Sequence, residues 1–291
     1  METLRPQLDM RTSDAHMKLA FGIPASAGVG VGHRWDPMDC DEEAPPRART
    51  ALRMDCDFSC LTNHEEDAFF CHSKASVVGG CRGNGVDAGD FSHELMSNAF
   101  DEVAASSSGT RGVYPYTVLE RAYQKTVAST GTPAASTALI LSLAGDALRW
   151  AYVGDSAFAV FRGGKLLFRS APQQHKFNCP YQLSAVGGNR VSDAAVGEFP
   201  VKEGDVVVAG TDGLFDNVFD SALEEMVRTG TALRFTPGQM AEAMAEFACD
   251  MAGSSRESPF SVASREQQGT NFTGGKTDDI TVIVGFIIVA S

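Results

Sequence analysis

The chain has 291 residues, 43% of them hydrophobic, enough to bury the core of one large domain or at most two. Its formal net charge of −13 argues against nucleic acid as a partner, because phosphate repels an acidic surface. No apolar run is long enough to span a bilayer, no apolar h-region marks a secretory signal, and seven scattered cysteines suit reduced thiols in a cytosolic type of compartment.

Residues 1–20 read as a polar lead in which Glu2, Arg5, Asp9 and Arg11 alternate in sign. Residues 21–32 are rich in Gly and Ala, but no Gly-Lys-Ser/Thr follows, so they read as a glycine-tolerant strand or turn and not as a phosphate-cradling loop. Residues 36–50, with Asp36, Asp39, Asp41, Glu42, Glu43, Pro45 and Pro46, form an acidic, Pro-containing insertion. Cys40, Cys56, Cys60 and His64 resemble a zinc set in residue type only, since their spacing has no CxxC core and matches no zinc signature.

A strand is expected to begin within Glu65-Glu66-Asp67-Ala68-Phe69-Phe70, and the glycines from Gly79 to Gly89 predict a flexible loop. Leu95, Met96, Ala99, Phe100 and Val103 keep helical spacing over 91–105, and a second helix is predicted over 117–127. From Ser136 the period changes to two. Short strands over 137–143, 148–153, 157–161 and 165–168, separated by Gly-containing turns, predict an antiparallel meander. Asp155 sits in one of those turns, where it reads as a turn former, and His175 sits in a loop over 173–183. Asp220 is placed to cap a helix through Arg228 with Gly230 as its stop. Thr236-Pro237-Gly238-Gln239 carries the marks of another start, followed by an apolar face of Met240, Met244, Phe247, Ala248 and Met251. Residues 253–275 read as a polar surface excursion before the last strand.

Two stretches carry chemistry. Val206-Val207-Val208-Ala209-Gly210-Thr211-Asp212-Gly213 reads as a buried strand ending on a carboxylate, and Asp278-Asp279-Ile280-Thr281-Val282 as a strand starting on one. A carboxylate at a buried strand end is costly unless something positive meets it. Paired on neighbouring strands, the acids would share one sheet edge, and oxygen-only ligands of this kind suit Mg²⁺ or Mn²⁺.

Glu66-Asp67-Ala68, Gly79-Gly80, Ser136-Thr137-Ala138, Gly154-Asp155-Ser156, Thr211-Asp212-Gly213-Leu214-Phe215-Asp216-Asn217 and Asp278-Asp279-Ile280-Thr281-Val282 together resemble the PP2C (PPM) family of metal-dependent protein Ser/Thr phosphatases. Their order and spacing fit over roughly residues 60–290. The run from Gly85 to Ser92, with Gln173-Gln174-His175 and Phe177-Asn178, is similar to the compact branch typified by the mitochondrial T-cell-activation PP2C homologue and plant relatives. The resemblance implies an α+β fold, a central β-sandwich of two antiparallel sheets with helices outside each, in a single domain over 21–291. It also implies a monomer acting on phosphoprotein substrates, in the cytoplasm, a mitochondrion or a plastid. Two Mg²⁺ or Mn²⁺ ions would activate a water and clamp the phosphate. Asp212 and Asp278 match the family's metal aspartates, Asp155 an acid of the adjoining weaker metal site, and Glu66 and Asp67 the acids at the site's edge, where Glu66 would orient metal-bound water.

One departure stands out. The family expects Ala-Asp-Gly-Val-Gly-Gly, whose Asp bridges both metals, and the matching run here is Ala75-Ser76-Val77-Val78-Gly79-Gly80. Ser76 would stand at the bridge, and the residues between Ala68 and Ala75 are too few for a strand end, a turn and most of the next strand. The sequence alone therefore leaves three readings: a phosphatase with a reduced metal site, a pseudophosphatase that binds phosphoproteins without turnover, and a defective product of misprediction or alternative splicing.

Overall fold

A period of two in hydrophobicity, interrupted by glycine turns, builds strands, and the two periodic runs near residues 95 and 120 build helices. The computed structural model describes residues 51–84, 88–106, 113–129 and 134–290. The expectations for 1–50, including Cys40 and the acidic insertion, lie outside them. In chain order the first half comprises β1 (Leu52–Leu61), β2 (Asp67–His72), β3 (Val77–Asn84), α1 (Ala88–Ser106), α2 (Pro115–Ser129), β4 (Ala135–Ser136), β5 (Ala138–Ala144), β6 (Ala147–Val153), β7 (Ala157–Arg162) and β8 (Lys165–Arg169). The second half comprises β9 (Gln174–Lys176), β10 (Cys179–Pro180), β11 (Leu183–Ser184), β12 (Ala195–Pro200), β13 (Asp205–Gly210), α3 (Asp212–Phe215), α4 (Asp220–Ala232), α5 (Pro237–Ala252), α6 (Pro259–Gln268) and β14 (Ile280–Val289).

Apart from the small β9–β10 pair, the strands form two antiparallel sheets, one ordered β1-β14-β13-β7-β8 and the other β11-β4-β3-β5-β6-β12 with β2 beside β3. Residues that alternate along the strands divide the apolar side chains among three layers. Phe69, Val78, Leu141, Phe158, Val207 and Ile283 fill the space between the sheets. Phe70, Val77 and Ile140 turn the other way and meet Leu95, Met96 and Leu119 of α1 and α2. Val208, Val282 and Val284 meet Leu223, Met240 and Met244 of α4 and α5. The result is the expected sandwich with helices outside both sheets. The predicted methionine face of α5 lies in this core, and its start is a capping box: Gln239 N–H donates to Thr236 Oγ1 at 3.2 Å and Thr236 N–H to Gln239 Oε1 at 3.0 Å.

Several expectations need correction. The strands from 138 to 169 are not one meander, because β5 and β6 lie in one sheet and β7 and β8 in the other. The crossing happens at Gly154, whose φ of 106° is open to glycine, and a Cβ there would lie 2.6 Å from Thr137 Cγ2. Asp155 thus sits at a crossover, not in a simple hairpin turn. Helix α4 runs through Gly230 to Ala232, and Asp220 is its first residue, paired with Arg169, while Phe219 is the cap position. Residues 253–275 contain α6, and the 173–183 loop contains the short β9–β10 pair.

The largest correction concerns the shortened segment. No strand is lost. A single 3₁₀ turn over Ser73–Ala75 joins β2 to β3, and the residues expected as a flexible glycine loop fill the strand position as far as Asn84. Ser76 lies in that turn with φ 50° and ψ 47°, and its Oγ accepts from Met54 N–H at 3.0 Å. Gly79 is required within β3 because a Cβ would lie 2.4 Å from Phe70 Cε1. The strand keeps both neighbours, β2 and β5.

Candidate active site

The central strand β13 pairs with β14 in antiparallel register, Gly210 opposite Val282, so the end of one lies beside the start of the other. Asp212 and Asp278 therefore meet at one sheet edge, as the sequence predicts. Thr211 is the cap position before α3, and Gly213 allows close approach, since a Cβ there would lie 2.0 Å from the Asp279 carbonyl oxygen. Asn217 locks the two segments together. Its Nδ2 donates to the Gly213 and Lys276 carbonyls, both at 2.9 Å, and its Oδ1 accepts from Lys276 N–H at 2.8 Å.

Asp67, at the start of β2, is buried in the same place. Its Oδ2 accepts from Thr211 Oγ1 at 2.8 Å and Thr281 Oγ1 at 2.7 Å. Burial outweighs those bonds and, with Asp212 and Asp279 nearby, pushes its pKa up to about 8. Glu66 is half-buried beside it. Its N–H donates to Asp279 Oδ2 at 2.7 Å, and its carbonyl accepts from Gly83 N–H and Ser92 Oγ. Asp155 reaches the cluster from the Gly154 crossover, held by Gln174 Nε2 at 3.0 Å; burial first and Asp212 second raise its pKa to about 6. Burial likewise lifts Asp216 to about 6, although Lys276 opposes it. His175 lies apart from these acids, exposed, with Nε2 3.3 Å from Asn189 Oδ1.

The sequence reading missed the cations. Arg82 stands opposite Asp67 in the β2–β3 register. Its Nη1 donates to Asp212 Oδ2 at 2.6 Å, and its Nη2 lies 2.9 Å from Asp278 Oδ1. Lys276 Nζ pairs with the same Asp212 oxygen, with Asp216 at 2.9 Å and with Asp278 at 3.5 Å. Burial disfavours both charges, but the surrounding carboxylates outweigh it and hold the two protons more firmly than usual. The Ser136-Thr137 motif fixes Arg82: Thr137 Oγ1 accepts from Arg82 N–H at 3.0 Å, and Ser136 Oγ donates to its carbonyl at 2.9 Å. The available signal was a lone arginine within a glycine-rich, otherwise apolar strand, a charge that burial tolerates only against an acid.

These carboxylates have the chemistry of a hard-cation site, and Asp212 Oδ1 has no hydrogen-bond partner among the described residues. As arranged they do not fit a pair of divalent ions. One guanidinium spans Asp212 and Asp278, an ammonium covers the same Asp212 oxygen, and among the described residues no three His, Cys, Asp or Glu converge on a metal position. Ser76, expected at the bridge, is in the turn at the other end of β3. The zinc-like cysteines are also apart: Cys56 Sγ lies 3.5 Å from Ser73 Oγ and Cys60 Sγ 3.4 Å from Thr281 Oγ1.

Residues 72–284 match the family described as Stage II sporulation protein E (SpoIIE). The putative protein phosphatase 2C 24 of Oryza sativa subsp. japonica is 52% identical over 261 residues, which covers 87% of this chain and 82% of that one. The putative protein phosphatase 2C 23 of the same organism is 50% identical over 245 residues, covering 82% and 76%. Among solved structures, the photosystem II phosphatase PBCP superposes with a TM-score of 0.66 at 30% identity, over 80% of this chain and 98% of that one. The catalytic domain of the serine/threonine phosphatase PstP, in complex with two manganese ions, gives 0.57 at 16% identity over 81% and 99%, a likeness of fold.

Proposed function

Because the chain belongs to the PP2C family of protein phosphatases, we propose that it acts on phosphoserine and phosphothreonine in proteins, hydrolysing the phosphomonoester at the edge formed by Asp155, Asp212 and Asp278. The observation that carries this reading is the meeting of β13 and β14, which sets Asp212 beside Asp278, with Asp67 and Glu66 at the rim. Family chemistry draws on divalent Mg²⁺ or Mn²⁺, which cancel the repulsion between a phosphate's anionic oxygens and the attacking oxygen. In this chain Arg82 and Lys276 neutralise part of the same edge. A guanidinium carries charge but has no acceptor and stays protonated. It orients carboxylates without generating a nucleophile, so turnover is slow. Loss of one preorganised electrostatic element costs about 10²–10³ in rate.

The test is hydrolysis of p-nitrophenyl phosphate and a phosphothreonine peptide with Mn²⁺ in excess, for the natural chain, Asp212→Asn and Arg82→Asp. The expected order is Arg82→Asp fastest, the natural chain slower by about 10², and Asp212→Asn at background. A natural rate untouched by Asp212→Asn would remove the reaction from this edge. The Arg82 pairing also favours a second reading, phosphoprotein binding without turnover. Retention of the phosphothreonine peptide with no phosphate release from the natural chain would select it.

A further inference from the structure

We propose that Arg82 is a tethered cation holding the acidic edge where PP2C phosphatases hold divalent metal, so that the chain folds without metal and takes up Mn²⁺ only when the guanidinium leaves. The inference rests on the reading of Asp155, Asp212 and Asp278 as a phosphatase edge.

Four observations carry it. Arg82 lies near the end of β3, opposite Asp67, and so reaches the edge from the sheet that faces β13 and β14. Its two terminal nitrogens go to different carboxylates, Nη1 to Asp212 at 2.6 Å and Nη2 to Asp278 at 2.9 Å, so one planar group links the ends of β13 and β14. Asp212 and Asp278 are nearly inaccessible to water, at 4% and 7% exposure, so a cation has to meet them if they are to stay ionised. The arginine backbone is pinned on both sides, by Thr137 and Ser136, which leaves only its side chain free to move out.

The substitution preserves charge and discards chemistry. A guanidinium matches a carboxylate pair in geometry, but it offers no open coordination position and cannot acidify a bound water. Metal and arginine therefore compete for the same oxygens. Lys276 adds a second positive group on Asp212 and Asp278, so removal of Arg82 alone leaves the edge partly compensated and the fold able to persist.

The experiment uses the full chain and three proteins: natural, Arg82→Gln and Arg82→Lys. Mn²⁺ binding is read by titration calorimetry, and thermal unfolding is read by circular dichroism in EDTA and in Mn²⁺ at a concentration that saturates the Gln variant. The natural chain should melt at the same temperature in both. Arg82→Gln should bind Mn²⁺ about tenfold or more tightly than the natural chain, the size of a typical coupling between two ligands of one site. It should also melt higher in Mn²⁺ than in EDTA. Arg82→Lys, which keeps the charge but cannot span both acids, should fall between them. A Gln variant that folds only with Mn²⁺ supports the proposal, since metal then does what arginine did; one that folds in neither condition overturns it. So does a natural chain that binds Mn²⁺ as tightly as the Gln variant, or that melts lower in EDTA. Neither readout involves turnover, so a Gln variant that gains Mn²⁺ yet releases no phosphate would count against the hydrolytic function alone.

Discussion

Asp279 is the residue whose replacement should reveal how the loop before β2 is held. It is fully buried, and its carboxylate gathers three backbone donors: Oδ1 accepts from Asn63 and from His64 N–H at 2.6 Å, and Oδ2 accepts from Glu66 N–H at 2.7 Å. Burial alone would raise its pKa, but the N–H groups of His64, Asn63 and Glu66 outweigh it and hold the group below the usual range. Asp279→Asn is close to isosteric and exposes the electrostatics. The amide oxygen can keep the Asn63 and His64 bonds as neutral ones, each weaker by about 1 kcal/mol, while the amide NH₂ then faces Glu66 N–H and leaves that donor unsatisfied at about 1–3 kcal/mol. The total is about 3–5 kcal/mol. At about 2–4 °C per kcal/mol for a domain of this size, melting should fall by roughly 6–20 °C. Urea unfolding followed by circular dichroism gives the free energy directly. A loss below about 1 kcal/mol would show that the three N–H groups find other acceptors, and the account of the clamp would fail.

Two further changes probe the same hairpin. Gly79→Val should cost about 1–3 kcal/mol or more in urea unfolding, because its Cβ would lie 2.4 Å from Phe70 Cε1 and 2.9 Å from Ile140 Cδ1; a neutral result would mean that β3 runs in another register. His72 is buried beside Phe100 and accepts from Ala75 N–H at 3.1 Å through Nδ1, and burial, then Lys74, lowers its pKa. A histidine with a lowered folded pKa contributes its full stability above the unfolded value near 6.5 and loses it as pH falls through the lower folded value. Unfolding free energy should therefore decline as pH drops below about 6.5, and His72→Asn, which keeps an acceptor but does not titrate, should flatten that part of the profile.

Much of the fold was legible because its signals are local. The Val206–Val208 run ending on Asp212, the Ile280–Val284 run following Asp278 and the Thr236-Pro237 start each announce an element from a handful of neighbours. Helix α6 carried the same kind of start, Ser258-Pro259 with Ser258 Oγ accepting from Ser261 N–H at 3.1 Å, but its Ser- and Gln-rich body has the composition of a loop. Strand β1 was hidden by Asp55, Asp57 and two cysteines, which an edge strand half-covered by α5 tolerates. Asp212, Asp278 and Asp155 could be placed together from motifs. Arg82 could not, since its neighbours follow from a hairpin register set by packing: Gly79 against Phe70, Ser76 in a left-handed turn. The same applies to the crossover at Gly154, where sheet membership depends on partners far away in the chain.

Arg82 lies six residues beyond Ser76, an even number. In β3 the odd positions Val77 and Cys81 pack with the α1 and α2 layer, whereas Val78 packs between the sheets and a Cβ on Gly80 would point at Ile283. A strand displaced by an even count keeps each residue on a face of the same kind, while an odd displacement turns it inside out. Here an odd shift would have buried the guanidinium against α1 and aimed Cys81 or Gly83 at the acids. The strand thus has a reading frame of two. A residue an even number of positions along β3 therefore faces the same side as Arg82, and one an odd number along faces α1 and α2, so parity decides which side chains of this strand can answer the acids.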